Sequence, residues 1–291
     1  MAAENSPHPD RRPRDEEIEV YGLTHTGHVR QINQDHFLLA NIHRRVDVVQ
    51  TSLSDFNALE ISDERLAFLA MIADGVGGAI GGEKASATAL SEAMHYVGSS
   101  IHCYDRGETS DPNFIEQLQS AAMTSHSAVV ARAAAETDGG TMATTLTLFL
   151  GVWPWYYLVQ VGDSRYYLYR DGQLTQITRD QTIAQDLVDQ GVFTRSAAAN
   201  SRLAHVLSSA IGGETATPVV TRLRADWRNV HLLCSDGLTK HVTDEQIAQR
   251  LQTMTSAKQV CEQLLQDALD DGGTDNITII VGRVTPLDAT A

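Results

Sequence analysis

Residues 144–177 read Thr144-Thr-Leu-Thr-Leu-Phe-Leu-Gly-Val152-Trp-Pro-Trp155-Tyr-Tyr-Leu-Val-Gln-Val161-Gly-Asp-Ser-Arg-Tyr166-Tyr-Leu-Tyr-Arg170-Asp-Gly-Gln173-Leu-Thr-Gln-Ile177. The β-branched and aromatic runs Thr144–Val152 and Trp155–Val161 follow one another closely enough to predict an antiparallel hairpin, and Tyr166–Arg170 is a further strand-like run. Asp171-Gly172, between Tyr166–Arg170 and Gln173–Ile177, is a hairpin turn.

Outward from this core lie further strand-like runs at Ile18–Thr24, His36–Ile42, Leu66–Ala73, Val230–Cys234 and Asn276–Val281. Helical patterns separate them. Glu83–Val97 is rich in Ala, Leu and Met. Asn113–Glu136 carries Ile115, Leu118, Ala122 and Val129 on one face, and Ser256–Leu269 places Val260, Leu264 and Ala268 four apart. Strands come in runs, with helices in the middle and again at the end, so the chain does not alternate as βαβ units do. This pattern predicts an α+β fold of antiparallel sheets covered by helix pairs.

The length of 291 residues suits one large layered domain, with no internal repeat and no long linker. The charge balance, 22 Lys+Arg against 37 Asp+Glu, gives 22 − 37 = −15. So acidic a surface repels nucleic acid and anionic membrane, and neither is expected as a partner. Leu146–Val161, the longest apolar stretch, is broken at Trp153-Pro154-Trp155 and is too interrupted to span a bilayer. Cys103, Cys234 and Cys261 form no C-x-x-C pair, which fits a reducing compartment and predicts a cytoplasmic protein. Pro7, Pro9, Pro13 and the Arg11, Arg12, Arg14 cluster lack an apolar neighbour run, so residues 1–16 read as a disordered tail and not a signal peptide. The expected domain is 17–285, with a C-terminal tail at 286–291. Segment 179–212, a polar helical start followed by the Ser/Ala/Asn-rich Thr194–Ser201, is expected to form a mobile flap.

Acidic residues mark the edges of the apolar runs. Asp35 precedes His36–Ala40, Asp74 ends Leu66–Ala73, Asp236 follows Val230–Ser235, and Asp275 precedes Asn276–Val281. Hard divalent cations take oxygen ligands, and strand ends can present carboxylates rigidly into one cleft. Asp-Gly is also a turn signal, and at Asp171 the turn reading suffices. At Asp74 and Asp236 a Gly-rich loop or helix-forming sequence follows, not a return strand. The loop Asp74-Gly-Val-Gly-Gly78 fits neither phosphate-binding fingerprint: Glu83 intrudes before Lys84, and Ile80 stands where the dinucleotide motif needs its last glycine. There is no H-E-x-x-H and no G-x-S-x-G, so zincin and serine-nucleophile chemistry lack support.

Six motifs in order carry a resemblance: Gly27-His-Val-Arg30-Gln-Ile-Asn-Gln34-Asp35, Ala73-Asp-Gly-Val-Gly-Gly78, Met142-Ala-Thr-Thr-Leu146, Val161-Gly-Asp-Ser-Arg165, Cys234-Ser-Asp-Gly-Leu-Thr239 and Gly273-Thr-Asp-Asn-Ile-Thr278. The chain from Glu19 to Arg283 resembles the metal-dependent type 2C protein phosphatases, the PPM family, in their bacterial form. The resemblance implies a four-layer αββα sandwich with two Mg²⁺ or Mn²⁺ ions at one edge. It implies a serine/threonine phosphatase that hydrolyses phosphoproteins by attack of a metal-activated water, with a Ser/Thr kinase and its substrates as partners. Carried over by position, Asp74 bridges both ions and Gly75 offers its carbonyl to one. Asp236 and Asp275 bind the other, and Asp35 lies beside the pair as a ligand or water-mediated contact. Arg30 clamps the phosphate, a role suited to a planar, always charged fork. Asp163, with Asp236, resembles the ligand set of a weaker third metal. Gln34, Val76 and Lys240 depart from the pattern: Gln34 stands where many relatives have Glu, Val76 where eukaryotic members carry a His, and Lys240 where relatives often have Asp. Two other readings compete, a non-catalytic phosphoprotein sensor and a phosphohydrolase of small molecules.

Overall fold

The computed structural model describes residues 11–44, 64–76, 81–100, 112–136 and 142–286. The elements in chain order are β1 (Ile18–His25), β2 (Asp35–Arg44), β3 (Glu64–Val76), α1 (Gly81–Ser99), α2 (Pro112–Glu136), β4 (Ala143–Thr144), β5 (Leu146–Val152), β6 (Trp155–Val161), β7 (Arg165–Arg170) and β8 (Gln173–Gln176). They continue with α3 (Ile183–Asp189), α4 (Arg195–Ala199), β9 (Val219–Arg224), β10 (Val230–Cys234), α5 (Asp236–Thr239), α6 (Asp244–Gln252), α7 (Ala257–Asp270) and β11 (Ile277–Val284). One sheet has the order β1-β11-β10-β7-β8. The other runs β2-β3-β5-β6-β9, with β4 paired to β3. The pairings are antiparallel throughout.

Side-chain alternation along the strands sorts the residues into three apolar layers. In β3, Leu69, Met71 and Ala73 pack against Ala85, Ala89 and Ala93 of α1 and Leu118 and Val129 of α2. The intervening Ala70 and Ile72, with Phe149 of the neighbouring β5, face the other sheet, where they meet Tyr166, Leu233 and Ile280. Ile277, Ile279 and Val281 of β11 turn outward onto Val260, Leu264 and Ala268 of α7 and Ile247 of α6. The result is the expected αββα sandwich. The runs of alanine in α1 let it lie close to both β3 and α2, and Ser125 Oγ donates to Ala89 O across that contact at 3.0 Å.

The structure departs from the sequence reading in several places. β3 does not stop at Ala73 but continues through Asp74 to Val76, because Gly75 and Val76 pair with β4. β9 and α6 carry no expectation from the sequence. Residues 11–16, expected within a disordered tail, are held in place. Arg11 forks Glu17 at 2.6 and 2.7 Å, Trp227 Nε1 donates to Arg11 O at 3.2 Å, and Arg65 donates to Pro13 O at 2.6 Å. Glu17 is 1 % exposed, and a carboxylate so buried requires a cation beside it. Residues 1–10 of that tail, the Gly77-Gly78 end of the glycine loop, Cys103 and the C-terminal 287–291 lie outside the described residues.

Candidate functional site

The acidic residues gather where the two sheets meet at one end. Asp35 and Asp74 are direct register partners on β2 and β3 of one sheet. Asp236 and Asp275 come from the other, at the start of α5 and just before β11. Asp163 sits in the β6–β7 turn, which crosses from one sheet to the other.

Each is fixed by its own local chemistry. The Asp74 backbone is clamped by two threonines: its N–H donates to Thr145 Oγ1 at 3.0 Å, and its carbonyl accepts from Thr145 N at 2.9 Å and Thr144 Oγ1 at 2.8 Å. Gly75 follows in a space that admits no side chain, since a Cβ there would lie 2.3 Å from Gly82 O and 2.8 Å from Gln34 O. Gly237 is equally constrained, with a Cβ position 1.9 Å from Asn276 O, and this close approach seats Asp236 beside Asp275. Asp35 reaches across the sheet interface, where its Oδ2 accepts from Ser235 Oγ and Thr278 Oγ1, both at 2.7 Å. Asp275 is held by the Arg30 fork, Nε to Oδ1 at 2.7 Å and a terminal nitrogen to Oδ2 at 3.0 Å.

Several residues that build the site received no role from the sequence. Asn276 staples the loop that carries Arg30: its Nδ2 donates to Thr26 O and Ile32 O at 2.9 and 3.0 Å, and its Oδ1 accepts from Gln34 N at 2.9 Å. His241 Nε2 accepts from Thr274 N at 2.9 Å, so its Nδ1 is the donor to Asp271 at 2.9 Å, which secures the turn before Asp275. Lys240 Nζ lies 2.7 Å from both Asp236 Oδ2 and Asp275 Oδ2. That placement follows from the i,i+4 geometry of one helical turn after Asp236.

The segment expected as a flap folds as α3 and α4 with a 3₁₀ turn at Arg202–His205 and walls one side of a cleft of about 710 Å³. Arg195 and His205 face Arg30, Asp163 and Asp236 across it. Its root is anchored on the Asp163 turn, where Gln181 Oε1 accepts from Gly162 N at 2.8 Å and Arg165 forks Asp180.

Crowding sets the electrostatics. Burial and then the charges of its acidic neighbours push the Asp74 carboxyl well above the carboxylate range. Burial lifts Asp35 to about 6 against the hydroxyl bonds that favour its anion, and burial with the Asp236 charge lifts Asp163 to about 8. Asp275 goes the other way: burial opposes its charge, but the Arg30 and Lys240 hydrogen bonds outweigh it and hold the group low. Such an assembly of like charges needs cations. A second observation points the same way: Asp35 Oδ1 is buried with no hydrogen-bond donor. Oxygen donors under mutual repulsion, one of them lacking a donor, fit a hard divalent cation. Among the described residues no three acidic or imidazole groups close on a single point as they stand. Asp236 and Asp275 close instead on Lys240.

Comparison with known proteins gives the same picture. The sequence is 37 % identical over 220 residues to the serine/threonine protein phosphatase PstP of Mycobacterium tuberculosis, a match covering 76 % of this chain and 41 % of PstP. The chain thus spans about two fifths of that relative's length. The crystal structure of PstP from the same organism superposes with a TM-score of 0.74 at 31 % identity, covering 92 % of this chain and 99 % of that one. A structure of the PstP catalytic domain in complex with two manganese ions superposes at 0.70 with 32 % identity, covering 92 % and 99 %. The protein phosphatase 2C model matches residues 48–272, which span Asp74, Asp163 and Asp236. With sandwich, motif order and carboxylate cluster in agreement, the chain belongs to the protein phosphatase 2C family.

Proposed function

We propose that this chain is a metal-dependent serine/threonine protein phosphatase. The observation that carries the reading is the cluster of Asp35, Asp74, Asp236 and Asp275, drawn from both sheets, with the Arg30 guanidinium at its rim. Asp74 with the Gly75 carbonyl, Asp236, Asp275 and Asp35 would hold two Mg²⁺ or Mn²⁺ ions, and Asp163 with Asp236 would hold a weaker third. Bound there, the ions supply Lewis-acid activation of water and offset charge on the phosphoryl group.

The chain's own residues do the rest. Arg30 is 53 % exposed and reaches the cleft from a loop stapled by Asn276, so its fork can turn from Asp275 to two phosphate oxygens. The hydroxyls of Ser235 and Thr278 keep Asp35 anionic and aimed inward. The wall formed by α3 and α4 leaves the cleft open at the surface, which favours a phosphorylated residue on a polypeptide over a small enclosed ester. The proposed partners are phosphoproteins, including a Ser/Thr kinase and its substrates. The free, buried Cys234 and Cys261 support the cytoplasm as its compartment; no described helix is long and apolar enough to cross a membrane.

Hydrolysis of a phosphothreonine peptide, with p-nitrophenyl phosphate in parallel, tests the reading with Mn²⁺, with excess chelator, and with Asp236→Asn. Turnover that requires Mn²⁺ and is lost in the variant is the expected result. Full activity in excess chelator would refute it.

A further inference from the structure

Among the described residues, Lys240 is the one cationic side chain that touches both Asp236 and Asp275. Its ammonium lies 2.7 Å from an oxygen of each, and its side chain is 21 % exposed, whereas the Arg30 side chain on the outer edge of Asp275 is 53 % exposed. The contact is built into the fold. Lys240 caps the single turn of α5, and its backbone N–H donates to Asp236 O at 2.9 Å, which fixes its stem beside the carboxylate it neutralises.

Divalent ions bind carboxylate oxygens at roughly 2.0–2.6 Å. An ammonium already seated on the same oxygens would then stand within a few ångströms of a dication, two like charges in a partly desolvated cleft. The two arrangements therefore exclude each other at these oxygens. We propose that Lys240 is a resident, tethered cation of the metal centre: it occupies the Asp236–Asp275 edge in the metal-free protein, and divalent metal enters there by displacing it. This rests on the metal-dependent reading above and adds that this chain lowers its own metal affinity. When only a fraction of molecules is competent, the apparent dissociation constant rises by the inverse of that fraction. An ammonium in place in ~90–99 % of molecules weakens binding by ~10–100-fold. Metal loading then follows the free metal concentration over a range where an uncontested carboxylate site would already be saturated.

The experiment is calorimetric titration of MnCl₂ into chelator-stripped full-length chain, as wild type, Lys240→Gln and Lys240→Arg, with thermal melting of each with and without Mn²⁺. The expected result is one Mn²⁺ site at least ~10-fold tighter in Lys240→Gln than in wild type, with Lys240→Arg remaining weak. Metal-free Lys240→Gln should melt below wild type and gain more on Mn²⁺ addition. Should Lys240→Gln not survive stripping, the same comparison is made on Mn²⁺-purified proteins by release into a competing chelator, slower and less complete for the variant. Equal or weaker Mn²⁺ affinity in Lys240→Gln makes the lysine a structural strut and overturns the proposal, with the metal reading intact. No Mn²⁺ binding by wild type overturns both.

Discussion

Replacing Asp163 with Asn should make the metal-free protein more stable, by an amount that grows as pH rises from about 4 to about 8. Asp163 is 7 % exposed in the β6–β7 turn. Burial, then the charges of Asp236 and Asp180, push its carboxyl up to about 8, against a partial offset from Lys240. In the unfolded chain the same group ionises near ~3.9. Between those values the folded state holds a proton that the unfolded state has lost, so wild-type stability falls as pH rises from about 4 to about 8 and levels off above. At ~1.4 kcal/mol per pH unit the window sets a ceiling of ~6 kcal/mol, which side-chain relaxation and water entry reduce to ~2–3 kcal/mol. That is a large part of a typical domain's stability of ~5–15 kcal/mol. Asn keeps the shape and stays neutral at every pH. Urea unfolding in excess chelator should therefore find Asp163→Asn more stable by ~2–3 kcal/mol at pH 8 and within ~0.5 kcal/mol of wild type at pH 4. A variant no more stable than wild type at pH 8, or one offset equally at both pH values, would refute the reasoning.

Arg30→Ala should lower kcat/KM on a phosphopeptide by ~10²–10³ while moving the melting temperature little, since the exposed Arg30–Asp275 pair contributes at most ~1 kcal/mol; loss within threefold of wild type would count against the phosphate clamp. Burial holds the His231 imidazole down at about 3, so the unfolded state takes up protons first as pH falls below the ordinary value. Stability from this group is thus complete above pH ~6.5 and about 2 kcal/mol lower by pH 5. His231→Gln, which keeps a hydrogen-bonding group for the Tyr166 hydroxyl 2.6 Å away, should flatten that acid limb, and superimposable pH–stability curves would show the assignment to be wrong.

The layered α+β architecture was legible in the order of apolar runs and helical patterns, but which face of β3 meets which layer, Leu69-Met71-Ala73 against Ala70-Ile72, was not, because both faces are apolar. The acidic positions were legible for a related reason, each standing where an apolar run begins or ends. β9 was not. Val219-Val-Thr-Arg-Leu-Arg224 follows Pro218 and alternates with arginines, as an edge strand does, and it is held partly by the Arg222 and Arg224 guanidiniums lying over the Trp155 ring at 4.5 and 5.4 Å. α6 was likewise missed, although Thr243 and Gln246, a reciprocal capping box ahead of Ile247 and Leu251, mark its start. What lies beyond sequence reading is the convergence of side chains from distant segments. Nothing in Ser235 or Thr278 alone says that both hydroxyls meet on Asp35, 200 and 243 residues away. The tail at 11–16 was misread because proline and arginine suggest disorder unless a buried acid such as Glu17 waits for them.

The pairing of β1 with β11, Ile18 opposite Val284, joins the first described strand to the last. During synthesis, when segments emerge in order over many seconds, β1 waits without β11, its one sheet neighbour among the described strands, until that strand follows. The Asp35–Thr278 bond and the Asp275 position mature at that same late moment. A nascent chain therefore carries Asp35, Asp74 and Asp163 without a formed cluster until the closing strand docks.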